Sequence, residues 1–398
     1  GYEAVWELSE DGTVLQSGSL GRLVVQPRDG RYVTIPFEKP ELKGGAEYWL
    51  SIRFRLKEET LWAEKGYEVA REQIKVPFEV PAAPLLSAAS SGRATYKESA
   101  ETLTVFAKDV TLEFDKLSGR MISLVCGSRE MLAGGEGPVL TLYRAPTDNN
   151  KYMRKQWLKA GLNDLKRSCR SIEASKEDDG RVRVKVSLEV SASEENGFNH
   201  DVSYTVYGGG AIHVSHHLDP FGTLPMLPKT GVVMSLVKDL ENYTWYGRGP
   251  FENYPDRKTG AAVDVYRSTV ADQLVPYVRP QETGNREDVR WVMLTDKQNR
   301  GLLIKADTPL SFTALHYTAD DLDRAEHTHE LSPRDEVFLS IDALQLGLGN
   351  GSCGPGVIEK YRIYAKPLTF VYTIRSYNSS FARPEEMARF RAERQVQQ

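Results

Sequence analysis

Two stretches of the sequence gather aromatic, basic and carboxylate side chains more densely than structural strands require. They are WYGRGPFENYPDR at 245–257 and PQETGNR at 280–286. Aromatic rings can stack on sugar rings, and arginine, amide and carboxylate groups can hydrogen-bond to sugar hydroxyls. The candidate binding residues in these stretches are Trp245, Arg248, Glu252, Asn253, Arg257, Glu282, Asn285 and Arg286. The same residue types would suit a buried polar network that supports a long loop, so both interpretations stay open.

A third candidate site is the glycine-rich segment GLGNGSCGPG at 347–356. A phosphate-binding P-loop would require Gly-Lys-Ser/Thr leading into a helix. Here no lysine is present, and Pro355 leads into the alternating sequence VIEKYRIYA. Because glycines let a backbone approach a ligand closely, we predict a binding loop between two strands. The alternative is a tight turn that is rich in glycine for geometric reasons alone.

The histidines form two clusters, His216-His217 and His327-x-His329. Neighbouring residues of a strand point to opposite faces, so His216 and His217 are poorly placed to share a metal ion. His327 and His329 would share a face, but no third ligand is evident, and structural hydrogen bonding is favoured. The sequence also lacks the Gly-x-Ser-x-Gly elbow of many serine hydrolases. We therefore predict no metal site and no catalytic serine.

Composition limits the broad class of protein. The chain has 398 residues, a formal net charge of −4, 40% hydrophobic residues and 27% charged residues. These values are typical of globular domains and give no general attraction to nucleic acid or anionic lipid. No apolar run approaches the roughly 18 residues of a membrane-spanning helix. Three cysteines leave at least one thiol unpaired, which argues against a disulfide framework.

The elements that must position these sites are mostly strands. Apolar and polar residues alternate at 48–56, 182–190 and 368–374, the pattern of antiparallel strands with one buried face. Short helices are predicted only at 151–160 and from Pro384 onward. We therefore predict an all-β protein with few helices.

The composition changes at 81–100, where Pro81-Ala-Ala-Pro84 and SAASSGRAT indicate a linker. The segment before it has the size of a trimmed β-sandwich, and the region after it needs two large packed sheets. We predict two domains, 1–82 and 83–398. The chain passes from Gly1 directly into the strand pattern YEAVWEL, so we expect an engineered fragment boundary there.

Five motifs in the second region resemble the last domain of long bacterial β-galactosidases of glycoside hydrolase family 2. They are RAPTDNN at 144–150, LPKTGVVM at 227–234, the two stretches described first, and SIDALQLGLGNGSCGP at 340–355. The segment that begins WELSEDGTVLQSG is similar to the immunoglobulin-like domain of the same enzymes. The resemblance implies a truncated immunoglobulin-like β-sandwich at 1–82, without its N-terminal strands, and a galactose-mutarotase-like β-supersandwich at 83–398.

For function, the resemblance implies the accessory, substrate-shaping part of a retaining β-galactosidase that hydrolyses terminal β-galactose. The two catalytic glutamates of such enzymes lie about 5–5.5 Å apart, and in this family they belong to a (β/α)₈ barrel. We expect that barrel upstream of Gly1, so no catalytic residue is assigned here and the fragment alone is expected to be inactive. A stand-alone carbohydrate-binding module and an aldose-epimerase-like domain are the alternatives.

In the family, the loop that matches 347–356 reaches the barrel mouth and shapes the subsite beyond galactose. This implies further substrate-binding candidates: Asp148, Asn149, Asn350, Gly351, Ser352 and Cys353. A well-known branch has tryptophan where this sequence has Cys353, so the aglycone preference of that branch does not transfer. The loop after Asp148-Asn149 is also shorter here than in that branch.

The resemblance implies no cofactor in this fragment and leaves room for Mg²⁺ or Na⁺ in the barrel. The expected partners are a β-galactoside and the (β/α)₈ catalytic domain of the same polypeptide, with a homo-oligomer also open. Neither nucleic acid nor a membrane is expected. We expect a soluble bacterial protein, with cytoplasm and periplasm both open as its compartment.

Overall fold

The structure, a computed structural model, describes residues 1–21, 23–86, 92–380 and 382–392. It falls into two compact units, neither of which is one stretch of sequence. The small unit combines Gly1–Leu86, Ala262–Val265 and the tail from Glu385, and the large unit combines Ser87–Ala261 with Tyr266–Pro384. The predicted domains, 1–82 and 83–398, are contiguous, so they differ from these units at 83–86, at 262–265 and in the tail.

The small unit contains an antiparallel sheet of four strands in the order β2-β1-β3-β4. Its strands are β1 (Tyr2–Glu10), β2 (Thr13–Ser19), β3 (Tyr48–Leu56) and β4 (Glu68–Lys75). Strand β3 matches the alternation predicted at 48–56. The sheet buries an apolar cluster of Trp6, Leu8 and Leu50. Trp6 and Leu8 lie together because alternate side chains of a strand share one face.

The tail joins the small unit through ion pairs that sequence patterns could not reveal. Arg389 donates from Nε to Asp11 at 2.5 Å and from Nη2 to Glu10 at 2.7 Å. Both carboxylates are buried, at 5% and 3% exposure. Because a buried carboxylate requires a partner, this arginine supplies the physical reason for the grouping.

The large unit contains a five-stranded antiparallel sheet in the order β5-β6-β7-β8-β9. Its strands are β5 (Thr95–Glu98), β6 (Thr102–Ala107), β7 (Val110–Asp115), β8 (Met121–Cys126) and β9 (Arg129–Glu130). Strand β5 begins inside the region whose composition indicated a linker. Residues 87–91 of that region lie outside the described residues.

A twelve-stranded sheet forms the rest of the large unit's framework, apart from residues 262–265 of one strand, which are grouped with the small unit. Its strands are β10 (Val139–Thr141), β11 (Lys166–Lys176), β12 (Val182–Ser191), β13 (Gly197–Val206), β14 (Ile212–Phe221), β15 (Lys229–Leu236), β16 (Asn242–Gly249), β17 (Ala262–Thr269), β18 (Arg286–Thr295), β19 (Arg300–Leu315), β20 (Val337–Gln345) and β21 (Leu368–Asn378). Nine of them run in the order β10-β15-β20-β19-β21-β14-β13-β12-β11, while β18 joins β16 to β19 and β17 pairs with β16.

The two sheets of the large unit share one hydrophobic core. Leu112 and Phe114 of the smaller sheet belong to the same buried cluster as Val184 and Tyr204 of the larger one. The rings of Phe114 and Tyr204 meet edge to face, with centroids 5.0 Å apart. Two sheets packed face to face confirm the prediction of an all-β sandwich fold.

Helices are short and few in the described part of the chain. They are α1 (Lys151–Lys159), α2 (Ala319–Arg324) and α3 (Pro384–Ala388), with 3₁₀ turns at Asp148–Asn150, Ala271–Gln273, Thr328–Glu330 and Glu359–Tyr361. The predicted helices at 151–160 and from Pro384 are confirmed, and α2 was not predicted. None of the helices is long and apolar enough to cross a bilayer.

Candidate functional site

The glycine-rich loop 347–356 leaves β20 and is held at its base by one carboxylate. The backbone N–H groups of Leu348 and Gly349 donate to Asp256 Oδ1 and Oδ2 at 2.9 and 2.8 Å. Asp256 belongs to the 245–257 stretch, so two motifs meet at this point. Hydrogen bonds to both oxygens of an ionised group fix the direction in which the loop leaves the sheet.

Asn149 of the RAPTDNN motif holds the other side of the loop. Its Nδ2 donates to the carbonyl of Gly349 at 2.7 Å. Its Oδ1 accepts hydrogen bonds from the N–H and the hydroxyl of Ser352 at 3.0 and 2.7 Å. An amide is suited to this task because it offers a donor and an acceptor at once.

Two glycines of the loop are required by close approaches within the protein. Gly349 has φ +60°, and a Cβ there would lie 2.7 Å from the backbone nitrogen of Val357. A Cβ on Gly351 would lie 2.5 Å from the carbonyl oxygen of Asn149. We predicted from the sequence that the loop glycines allow close approach to a ligand. In the structure, these two allow the loop to pack closely against its own chain.

The tip of the loop is open to solvent. Asn350, Ser352 and Cys353 are exposed, and Asp148 beside them is exposed as well. The N–H groups of Cys353 and Gly354 close the turn by donating to the carbonyl of Asn350 at 3.1 and 2.6 Å. A fixed base with an exposed polar tip is typical of loops that reach a ligand or another domain.

Arg144 lies under the loop and is fully buried. Nη1 donates to the carbonyl of Leu346 at 2.6 Å and to Oε1 of Gln345 at 3.1 Å, and Nη2 donates to Oδ1 of Asn150 at 3.3 Å. Burial lowers the pKa of Arg144, and the field of Glu282 partly opposes this effect. Arg144 ties the RAPTDNN motif to the end of β20.

Sequence reasoning missed Arg144 and Asp256 as site residues. Both lie inside motifs that carried the family resemblance, and this was the available signal. Their hydrogen bonds are made inside the protein, so they do not stand out among residues expected to contact a sugar.

Asn253 and Asn285 join the 245–257 and 280–286 stretches in a buried amide network, and both are 0% exposed. Asn285 Nδ2 donates to the carbonyl of Asn253 and to Oε1 of Glu287, each at 2.8 Å. Asn253 Oδ1 accepts from the N–H of Glu287 at 2.9 Å. Arg248 extends the network by donating from Nε to Asp288 at 2.5 Å and from Nη1 to the carbonyl of Ala261 at 2.8 Å.

Glu252 is buried and accepts hydrogen bonds from four donors. They are Arg257 Nη2 at 2.7 Å, the N–H of Gly284 at 2.9 Å, the hydroxyl of Thr283 at 3.3 Å and the hydroxyl of Tyr277. A carboxylate so fully used joins the two stretches of sequence and has little capacity left for a substrate.

The Trp245 side chain is packed inside the protein and offers no exposed face on which a sugar could stack. It is 1% exposed, with the rings of Tyr243 and Tyr266 stacked at centroid distances of 5.0 and 5.3 Å. The guanidinium carbon of Arg286 lies 4.9 Å from its centroid. Arg286 is buried too, and burial lowers its pKa. For these two residues the buried-network interpretation holds.

An open hollow of about 530 Å³ lies over this network. Among its lining residues, Phe251 is 54% exposed and the side chain of Arg257 is 52% exposed. Phe251 was not among the predicted site residues, although it lies in the same motif. These two side chains are the parts of the 245–257 stretch that a ligand could reach.

The structure divides the predicted site residues into three groups. The loop group contains Asp148, Asn149, Asn350, Gly351, Ser352 and Cys353. The network group contains Trp245, Arg248, Glu252, Asn253, Arg257, Asn285 and Arg286. Glu282 belongs to neither group and faces a separate cavity.

The histidine prediction of opposite faces is confirmed. His216 is fully buried between Nε2 of His200 and the hydroxyl of Tyr372, each at 3.0 Å, while His217 is exposed beside Thr369. In the described ranges, no group of three or more His, Cys, Asp or Glu side chains is placed to hold a metal ion.

Fold and site together define a β-sandwich protein with an anchored, solvent-exposed glycine-rich loop. The chain belongs to the β-galactosidase small-chain family, whose model matches residues 106–374. A second family model, β-galactosidase domain 4, matches residues 1–77. The two matches agree with the resemblance drawn from the sequence motifs.

Curated relatives with similar sequences are β-galactosidases from bacteria. The relative from Priestia megaterium is 32% identical over 386 residues, which cover 96% of this chain and 36% of the relative. The relative from Lactobacillus delbrueckii subsp. bulgaricus is 32% identical over 87% of this chain and 33% of its own length. The chain thus spans about a third of the length of these relatives.

Solved structures give weaker matches. A galactose 1-epimerase from Lactobacillus acidophilus aligns with a TM-score of 0.37 and 8% identity, over 72% of this chain and 99% of that one. A heparan sulfate lyase from Pedobacter heparinus aligns with a TM-score of 0.30 and 10% identity, over 76% and 38%. Likeness at this level supports no statement about function.

Proposed function

We propose that this chain is the accessory, substrate-shaping part of a retaining β-galactosidase that releases terminal β-galactose. Family membership supports the enzyme class, and the loop supports the role. The observation that carries the proposal is that loop 347–356 is fixed by Asp256 and Asn149 while its tip stays exposed. A pre-ordered loop can contact substrate in a neighbouring cleft with little further loss of conformational freedom.

The side chains at the tip determine what the loop can recognise. Ser352 and Asn350 offer hydrogen-bonding groups, and Cys353 offers a small thiol without an aromatic face. The sugar beyond galactose is therefore held by polar contacts and is loosely specified. This enzyme should accept varied aglycones.

The residues of 245–257 and 280–286 act mainly by positioning the loop. Glu252, Asn253 and Asn285 are buried and bonded to each other's segments. Asp256 extends from this framework to the loop base. In this proposal the network keeps the loop in place, and substrate contact is left to the loop tip.

Catalysis is assigned to the (β/α)₈ barrel of the complete enzyme. A retaining mechanism needs two carboxyl groups about 5–5.5 Å apart, one as acid/base and one as nucleophile. Glu252 is committed to four internal donors. In this proposal any Mg²⁺ or Na⁺ also belongs to the barrel of the complete enzyme.

The test is Cys353→Trp in the complete polypeptide. The added ring should stack on the second sugar, lower KM for disaccharides about 10-fold or more and change acceptor preference, while cleavage survives. Kinetics with a disaccharide and with a nitrophenyl β-galactoside measure this change. Leu117→Trp, at a site 88% exposed in the turn between β7 and β8, is the matched control.

Two outcomes would contradict the proposal. The first is unchanged kinetics for both Cys353→Trp and Ser352→Ala, which would leave the loop a structural element. The second is turnover by the 398-residue chain alone that disappears when a single glutamate in it is changed.

A further inference from the structure

A cavity of about 200 Å³ opens on the face of the twelve-stranded sheet formed by β10, β15, β19 and β20. None of its lining residues belongs to loop 347–356. Its walls alternate hydroxyl groups with apolar side chains, including Thr141, Ser235, Thr313 and Ser340 beside Val233 and Phe338. Since a water molecule takes up about 30 Å³, the space is large enough for several waters or one small ring.

Glu282 lines this cavity with an unpartnered carboxylate. The residue is 7% exposed, and its backbone N–H donates to the carbonyl of Ala145 at 3.2 Å. No described residue donates a hydrogen bond to its carboxylate oxygens. A buried carboxylate without a donor is costly to keep. Its two oxygens are free to accept from a ligand.

The nearby lysine does not satisfy Glu282 by contact. Lys229 Nζ donates to Ser340 Oγ at 2.7 Å and to Asp342 Oδ2 at 3.2 Å. Asp342 is fully buried and also accepts from Gln345 at 3.1 Å. Lys229 and Asp342 are therefore matched to each other, and the carboxylate of Glu282 remains available in the cavity.

We propose that this cavity binds one free monosaccharide, with the Glu282 carboxylate accepting hydrogen bonds from ring hydroxyls. A ring of this class presents hydroxyls toward Thr313 and Ser340 and a C–H face toward Val233 and Phe338. An anion would meet the carboxylates of Glu282 and Glu136, and a cation would meet Lys229. A neutral polyhydroxylated molecule matches the wall without either repulsion. This site goes beyond the loop-based function and does not depend on it.

The experiment titrates the 398-residue chain with galactose, glucose and glycerol, followed by calorimetry and by ligand-observed NMR. The wild-type protein should show saturable binding of at least one sugar. Glu282→Met, which keeps the length of the side chain but removes its acceptors, should weaken binding about tenfold or more. Val233→Phe should fill the cavity and abolish binding while Glu282 stays in place.

Two controls separate this site from the loop. Glu113→Gln changes a carboxylate on β7, outside the residues that line the cavity, and should leave binding unchanged. Cys353→Trp should leave binding unchanged as well, even if it alters catalysis in the complete enzyme. No saturable sugar binding, binding that survives both cavity variants, or a response to sodium or ammonium ions alone would overturn the proposal.

Discussion

Replacing Glu282 with glutamine should change the pH dependence of stability in a defined direction. Burial raises the pKa of Glu282 from the ordinary 4.5 to about 7, and Lys229 and Arg144 only partly offset this rise. Between these pH values the unfolded chain has released its proton while the folded protein still holds it. The folded state is therefore favoured at low pH and loses this advantage as pH rises through about 7.

The magnitude follows from the difference between the two pKa values. A rise from 4.5 to about 7 corresponds to about 3 kcal/mol of unfolding free energy. The wild-type protein should lose that amount, relative to Glu282→Gln, as pH increases from below 4.5 to above 7. The glutamine variant has no proton to release at this position, so it should gain relative stability steadily across the window.

The assay is urea unfolding of both proteins in parallel over this pH range, with the difference in unfolding free energy as the result. Because all other ionisable groups are common to the two proteins, their contributions cancel. The difference, taken as Glu282→Gln minus wild type, should rise with pH. If it stays flat or falls, Glu282 is solvated or paired in solution. That outcome would also remove the unpartnered carboxylate on which the cavity proposal rests.

Two further predictions concern other parts of the large unit. Burial lowers the pKa of His200 from 6.5 to about 4. As pH falls through that window, wild-type protein should therefore lose about 3 kcal/mol of unfolding free energy relative to His200→Gln. Urea unfolding measures this loss, and a difference that does not change with pH would contradict a buried neutral imidazole. Asp256→Ala should release the N–H groups of Leu348 and Gly349 and speed their hydrogen exchange about tenfold or more, since a hydrogen bond to a charged group is lost. Equal protection in Asp256→Ala and wild type would show that Asn149 alone holds the loop.

The strands could be predicted because their pattern is local. In β12, Val182, Val184 and Val186 are buried while Lys185 is exposed, as the alternation in the sequence indicated. A period of two residues depends only on the strand's own geometry, and no tertiary information is needed to recognise it. The helix that begins at Pro384 could also be predicted, because a proline at the first helical position is a local signal.

The site could be predicted only in part. A motif rich in Trp, Asn and Arg has the same composition whether it faces a sugar or lies inside a network. Trp245 is covered by Tyr266, which lies beyond the motif in sequence, and such a contact leaves no local pattern. Glu282 shares its motif with Asn285 and Arg286 and was predicted with them as a binding residue, yet the fold turns its side chain into a different cavity.

The link between Arg389 and Glu10 has a consequence for the order in which the protein can fold during synthesis. The two residues are separated by 379 positions in sequence. At about 5–20 residues per second, the ribosome needs roughly 20–75 seconds to produce the arginine after the glutamate has emerged. Until then Asp11 lacks the cation that it pairs with in the folded protein, whereas Glu10 can already pair with Lys43. Strand β1, which ends at Glu10, thus reaches its final surroundings only after Arg389 has been made.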